Sequence, residues 1–276
     1  MWRVWWPILL VVVLLSVFPL SAYAAREGLT GVTTDALRLR ADMWGPVLDV
    51  VHPETPVDIY ARSWATDGTM WYYVGDSAGR TGWMFSDFVR TEPVYAHKVG
   101  LQVGHWRREE AAYPFNTASG ASGGGFTEAE VNLITAKSAA RHLSSRGVRV
   151  DLLPTVIPKG YQADAVVAIH ADGGPSDRRG FFVDRPARSI VANLEARLSN
   201  AIVKEYAAAV NIPYIFRGTP NSRYYYGYYS VQPSTPMVLI ETGFLSNAED
   251  RAILTNRSDD TGAAIAEGIM NFLNSR

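Results

Sequence analysis

The chain has 276 residues, room for about two ordinary domains. With 47% hydrophobic and 19% charged residues it can build a folded core and is too apolar to be a disordered chain. A net charge of −1 with no basic cluster argues against a nucleic-acid partner, and the absence of cysteine excludes disulfides, thiolate metal sites and cysteine nucleophiles, so that any metal must be held by His, Asp or Glu.

The first 24 residues have the layout of a secretory signal peptide. Met1-Trp2-Arg3 supplies one positive charge, an apolar run from Val4 to Phe18 is interrupted only by Pro7 and Ser16, and Ala22-Tyr23-Ala24 gives an Ala-x-Ala ending. The run is short for a membrane span, which needs about 20 apolar residues. Cleaved leader or uncleaved anchor, the expectation is a secreted or extracytoplasmic chain in the cell envelope. Residues 1–24 are set aside from the fold.

Residues 30–92 read as an all-β unit. Leu37-Arg38-Leu39 alternates, and Val47 to Val51, Val57 to Tyr60 and Trp71 to Val74 are short β-prone runs. Gly45-Pro46, Pro53, Asp67-Gly68, Gly75-Asp76 and Gly79 punctuate them as turns. Short strands at this spacing suggest a small barrel. Three pieces, Ala36 to Arg40, Trp71 to Val74 and Gly79 to Met84, resemble a bacterial SH3-like domain. That resemblance implies binding to cell-wall peptide or glycan. Trp71 and Trp83 are expected in the barrel core rather than in ligand contact. Thr91-Glu92-Pro93 reads as a link.

From residue 97 to 276 the period changes. Lys98 to Val103 and Val148 to Leu153 read as strands. Thr127 to Arg146 reads as a helix, with Leu133, Ala136, Ala140 and Leu143 on one face, Thr127 and Glu130 as a capping box and Gly147 as its stop. The unbroken apolar runs Ala165 to Ile169 and Met237 to Ile240 suit strands buried on both faces of a parallel sheet. Arg188 to Ala209 reads as a second helix, with Val191, Leu194, Leu198, Ile202 and Tyr206 inward, and Ala263 to Leu273 as a last one. The expected class is α/β, a mostly parallel sheet flanked by helices, preceded by the small all-β barrel.

The residues after each strand carry the chemistry. Lys98 to Val103 leads into Gly104-His105, Ala165 to Ile169 into His170, and Met237 to Ile240 into Glu241. Parallel strands end on one edge, where open α/β folds place their ligand sites. Glu128, in the first turn of a helix after a glycine-rich loop, can reach the same edge. Two His and one Glu are a known ligand set for a catalytic zinc, and a further carboxylate that is not a ligand can serve as general base and acid. On spacing alone either Glu241 or Glu128 fills that last role. Ordinary readings stand beside these: His105 as a polar loop residue, and Glu128 as a carboxylate favoured at a helix N-terminus. His170 and Glu241 are less ordinary, because a polar group after a buried strand needs a partner. His52, His97 and His142 have no comparable placement.

At these residues residues 98–274 resemble the zinc-dependent N-acetylmuramoyl-L-alanine amidases of the type 3 family. The match is carried by Met237 to Asn247 with Asp250 and Leu254, by Val167 to Asp172, by Thr127 to Leu133, and by Val103-Gly104-His105. The resemblance implies zinc bound by His105, Glu128 and His170, with Glu241 as general base and then acid. It implies peptidoglycan as the partner, cut at the amide between the lactyl group of N-acetylmuramic acid and L-alanine of the stem peptide. The family's usual Asp-Pro before the first Gly-His, and the glycines after it, are Gln102-Val103 and Trp106-Arg107 here. Trp106 beside a ligand reads as narrowing the cleft or stacking on a sugar. Asn116 to Gly125 is flexible by composition and reads as a tolerated loop rather than a lid. Arg223 to Tyr229 reads as core or interface packing, against the SH3-like domain for instance, ahead of stacking on glycan. A wall-binding protein with an inactive amidase domain and a zinc peptidase acting on stem peptides are the competing functions. No repeat or heptad suggests assembly, so a monomer is expected.

Overall fold

A computed structural model describes residues 29–91, 96–215 and 219–276. The leader-like segment 1–24 and the link residues Glu92 and Pro93 lie outside the described residues. Seven strands make up the first region: β1 (Thr30–Thr33), β2 (Leu37–Arg40), β3 (Val47–Val51), β4 (Pro56–Trp64), β5 (Met70–Asp76), β6 (Thr81–Phe85) and β7 (Val89–Thr91). Their alternation sets their faces. In β4, Val57, Ile59, Ala61 and Ser63 are buried, while Asp58, Tyr60 and Arg62 between them are only partly so. The turns follow from their aspartates: the Asp67 side chain accepts from the backbone N–H of Thr69, and that of Asp76 from Ala78 and Arg80. Leu37, Leu39, Val51, Val57, Ile59, Val74, Met84 and Val89 form a small core. Trp71 and Trp83 are buried too, but in the larger core that the second region shares rather than in this small one.

The second region contains β8 (His97–Val103), the two-residue strands β9 (Ser122–Gly123) and β10 (Phe126–Thr127), α1 (Glu128–Ser144), β11 (Val148–Leu153), β12 (Ala165–Asp172), β13 (Phe182–Asp184), α2 (Ala192–Ala209), α3 (Pro220–Arg223), β14 (Met237–Phe244), α4 (Ala248–Asn256) and α5 (Ser258–Asn274). Strands β11, β8, β12 and β14 are adjacent and parallel, and β13 closes the far side antiparallel to β14. The apolar runs in β12 and β14 are fully buried, as a strand covered on both faces requires. Helix α1 opens with the capping box of Thr127 and Glu130. Its Ala136, Ala140 and Leu143, with Leu198, Ile202 and Tyr206 of α2, lie in the main core with α5. Neither α4 nor β13 was anticipated. The Asn247 side chain caps α4 by accepting from the N–H groups of Glu249 and Asp250.

Two expectations are corrected. The sheet is mixed, and it does not stop at the boundary between the two regions. Strand β4 pairs in parallel with β11 at Arg62 and Asp151, so a single sheet runs β13-β14-β12-β8-β11-β4-β5-β6-β2-β3. Side chains secure the seam. Asp151 is fully buried and takes Arg62 Nε at 2.5 Å, the Tyr161 hydroxyl at 2.8 Å and Lys98 Nζ at 3.3 Å. Ser63 Oγ donates to the Leu152 carbonyl at 2.8 Å. Trp106 is a second correction: it is buried and stacks on Trp83 at 6.3 Å, so it belongs to the seam and not to the cleft. Arg107, two residues beyond His105, donates to the Trp64 carbonyl at 2.6 Å.

Asp151→Ala would leave two cations and a phenol without their buried acceptor, which costs about 3–5 kcal/mol. Urea unfolding followed by tryptophan fluorescence and by far-UV circular dichroism checks this. Both probes are expected to shift together to lower urea, because both regions share the sheet. Two separate transitions, or an unmoved midpoint, would contradict the seam's role.

Candidate active site

The parallel strands bring their carboxyl ends to one edge. Strand β8 ends at Val103, and the chain turns sharply through Gly104 and His105. His105 has a φ of 61°, left-handed backbone that non-glycine residues rarely adopt. Gly104 is required by proximity: a Cβ there would lie 2.5 Å from the His170 ring. Gly120, at φ 73°, likewise presses on the site, since its Cβ would meet Glu128 Oε2 at 2.6 Å and His105 Cδ2 at 2.7 Å. The glycine-rich loop is therefore wrapped against the site rather than passing over it. On β12 and β14, His170 and Glu241 are register partners, and the pairing shifts between His170 and Asp172.

Glu128 Oε1 lies between the two imidazoles. It is 2.9 Å from His170 Nδ1 and 3.4 Å from His105 Nε2. The rings meet edge-on, with centroids 5.2 Å apart. One ligand atom from each of the three residues lies within 4.8 Å of the others, and no second such group occurs among the described residues. Tetrahedral bonds of about 2.1 Å would set ligand atoms about 3.4 Å apart, so this donor set fits a zinc ion. The other atoms are tied down. Glu128 Oε2 accepts from the Ala121 N–H at 2.6 Å, and Oε1 accepts from the Ala171 N–H at 3.3 Å and from Asn132 Nδ2 at 3.4 Å. His105 Nδ1 is 2.7 Å from the Ala118 carbonyl, which can only accept, so Nδ1 carries the proton and Nε2 turns its lone pair to the site. Burial pushes the Glu128 carboxyl up, yet the hydrogen bond and charge of His170, the His105 ring and the Ala121 N–H outweigh it and hold the group at about 2.

Glu241 stands apart from this cluster. Its Oε2 is buried with no hydrogen-bond partner among the described residues. Burial, then the negative charges of Glu128, Asp172 and Asp184, drive its carboxyl well above the usual range. A cavity of about 410 Å³ joins it to His105 and His170, with Asp172, Tyr225 and Tyr226 on its walls. Of the four residues singled out in the sequence, His105, His170 and Glu241 line one cavity, and Glu128 is buried behind it between the two imidazoles. Within the tyrosine run, Tyr225 and Tyr228 pack into a core cluster of the second region, and the Tyr225 hydroxyl is 3.2 Å from His170 Nε2. Tyr225 and Gln102 are site residues that sequence reasoning did not identify as such. His142 lies 3.4 Å from Asp259, away from the cluster.

The sequence profile of the N-acetylmuramoyl-L-alanine amidase family matches residues 99–271. The chain is 28% identical over 193 residues to N-acetylmuramoyl-L-alanine amidase LytC of Bacillus subtilis (strain 168), a match that spans 65% of this chain and 36% of that protein. The N-acetylmuramyl-L-alanine amidase Ami1 from Mycobacterium smegmatis superposes with a TM-score of 0.51 at 22% identity, over 67% of this chain and 100% of that one. An N-acetylmuramoyl-L-alanine amidase from Clostridium difficile 630 does so with a TM-score of 0.51 at 18% identity, over 66% and 100%. These two likenesses bear on the fold alone, whereas the profile covers more than half of the residues: the chain belongs to the N-acetylmuramoyl-L-alanine amidase family.

Proposed function

We propose that the chain is an extracytoplasmic peptidoglycan hydrolase that cleaves the amide between N-acetylmuramic acid and the L-alanine of the stem peptide. The observation that carries this reading is the division of the two carboxylates. Glu128 is locked between two imidazoles, while Glu241 lines the cavity that His105 and His170 also line, with an oxygen that has no hydrogen-bond partner among the described residues. His105, Glu128 and His170 would hold zinc, which when bound supplies a Lewis acid for the scissile carbonyl and lowers the pKa of a water. Glu241 takes a proton from the attacking water and returns it to the alanine nitrogen as the C–N bond breaks. Its burial suits the second half of that task, because a carboxyl held above its usual range keeps a proton until a leaving amine needs it. Tyr225 and Tyr226 give the cavity aromatic walls for a sugar or peptide. The reading of an inactive, wall-binding protein leaned on the altered residues around His105. Gln102 and Trp106 have structural partners of their own, and His105 keeps its place in the cluster.

The first β region is read as an SH3-like wall-binding unit in a monomer. Its support is Trp44, which is 56% exposed, has a φ of 58° and sits edge-on against buried Trp71 at 5.0 Å. A large ring held in strained backbone and left facing solvent suits a ligand platform. The leader-like residues 1–24 support export. No helix among the described residues is long and apolar enough to cross a membrane.

Residues 25–276 are expected to purify with about one zinc per chain, as a three-ligand catalytic site holds, and to release stem peptides beginning at L-alanine, read by mass spectrometry of digested peptidoglycan. Trimmed stem peptides would make the enzyme a peptidase instead. Chain with no metal and no cleavage after zinc is added would leave the binding-protein reading. Glu241→Gln should keep zinc and lose about 10²–10⁴-fold in cleavage rate, and His170→Ala should lose both. Loss of zinc from Glu241→Gln would overturn the division between the two glutamates.

Trp44→Ala is expected to weaken co-sedimentation with purified sacculi while leaving cleavage of a soluble muropeptide unchanged. A point variant is preferred to deletion because β4 belongs to the catalytic sheet. Equal sedimentation of the two proteins would remove the wall-binding role from this surface.

A further inference from the structure

We propose that Tyr225 and Gln102 are positioning residues that fix the ring of His170, so that its Nδ1 faces Glu128 and the site's affinity for its metal is set from behind. The inference rests on the reading of His170 as a metal ligand. Two histidines of the cluster are oriented by different means. His105 is held through Nδ1 by a main-chain carbonyl, that of Ala118, which no substitution removes. His170 is held through Nε2 by a side chain, the Tyr225 hydroxyl at 3.2 Å.

The direction of the hydrogen bonds follows from counting protons. The amide nitrogen of Gln102 donates to main-chain carbonyls, to Val103 and Thr155 at 3.3 Å and to Pro154 at 3.5 Å. This turns the amide oxygen toward Tyr225, whose hydroxyl donates to it at 2.9 Å. Tyr226, 3.1 Å from the Tyr225 oxygen, has already given its own proton to the Thr155 carbonyl at 2.5 Å. The Tyr225 proton is thus directed away from the imidazole, and the phenol oxygen offers His170 a lone pair. A ring that donates from Nε2 to that lone pair can release the Nδ1 proton it shares with Glu128 when a metal takes that place. Nδ1 is the nitrogen 2.9 Å from Glu128 Oε1. Gln102 is fully buried, which leaves water little room to replace its amide. Neither residue needs to touch the substrate to act in this way. Partners behind a ligating His orient its ring and raise its basicity, and their loss typically costs metal affinity.

The test uses residues 25–276 with Tyr225→Phe, with Gln102→Met, and with both, beside His170→Ala. Zinc affinity is measured by chelator competition, and the histidine ¹⁵N spectrum of the zinc-loaded protein reports which ring nitrogen carries the proton. Each single variant is expected to bind zinc about 10–100-fold more weakly. The double variant should be little worse than the weaker single one, because the two groups act in series. The unsubstituted protein should show His170 protonated at Nε2, and Tyr225→Phe should lose that signature. Circular dichroism establishes that each variant is folded, and Gln102→Met carries the test if Tyr225→Phe does not fold. Zinc binding abolished in His170→Ala but unchanged in Tyr225→Phe and Gln102→Met would overturn the relay and leave the metal site standing. An unsubstituted protein that binds no zinc would overturn both.

Discussion

One carboxylate oxygen, Oε1 of Glu128, organises the site. It can stand between two imidazoles only if three separate elements deliver their side chains to one point: the turn after β8, the first turn of α1 and the end of β12. Bringing a carboxylate into a buried place is costly unless every lone pair is met. Here Ala121 and Ala171 present N–H groups and Asn132 presents its amide. That demand explains the tight packing around it, including the glycine at 104 and the left-handed backbone at His105. Glu241, a strand away, has the opposite environment. Two glutamates on one edge are thus pushed in opposite directions by their surroundings, Glu128 toward its charged form and Glu241 toward its neutral one.

Much of this was legible in the sequence. The apolar runs ending at Ile169 and Ile240 locate two central strands, and a polar residue directly after each, His170 and Glu241, has few reasons to be there except the edge of a parallel sheet. Thr127 and Glu130 mark the start of α1, and with it the position of Glu128. These signals are local, written within about one turn or one strand.

What was not legible depends on meetings between distant residues. Arg62 and Asp151 are 89 positions apart, and nothing in either neighbourhood announces that β4 will extend the sheet. Trp106 looked like a cleft residue because it follows His105, but its partner is Trp83, in a region that composition alone sets apart. Tyr225 and Gln102 are 123 positions apart, and a run of tyrosines carries no periodicity that would aim one of them at an imidazole. Polar and aromatic pairs of this kind are chosen by tertiary packing, which overrides local preference.

The shared sheet also bears on how such a chain can be inherited or recombined. A second region cut free at residue 96 would present β11 with its outer neighbour gone, Asp151 stripped of Arg62, and the Trp106 ring bare. An uncovered parallel edge with an apolar ring beside it is a template for association between copies. The two halves are therefore not interchangeable cassettes joined by a tether. A different β unit placed ahead of this sheet would have to bring its own strand, its own cation for Asp151 and its own ring for Trp106, so the pair must change together or not at all.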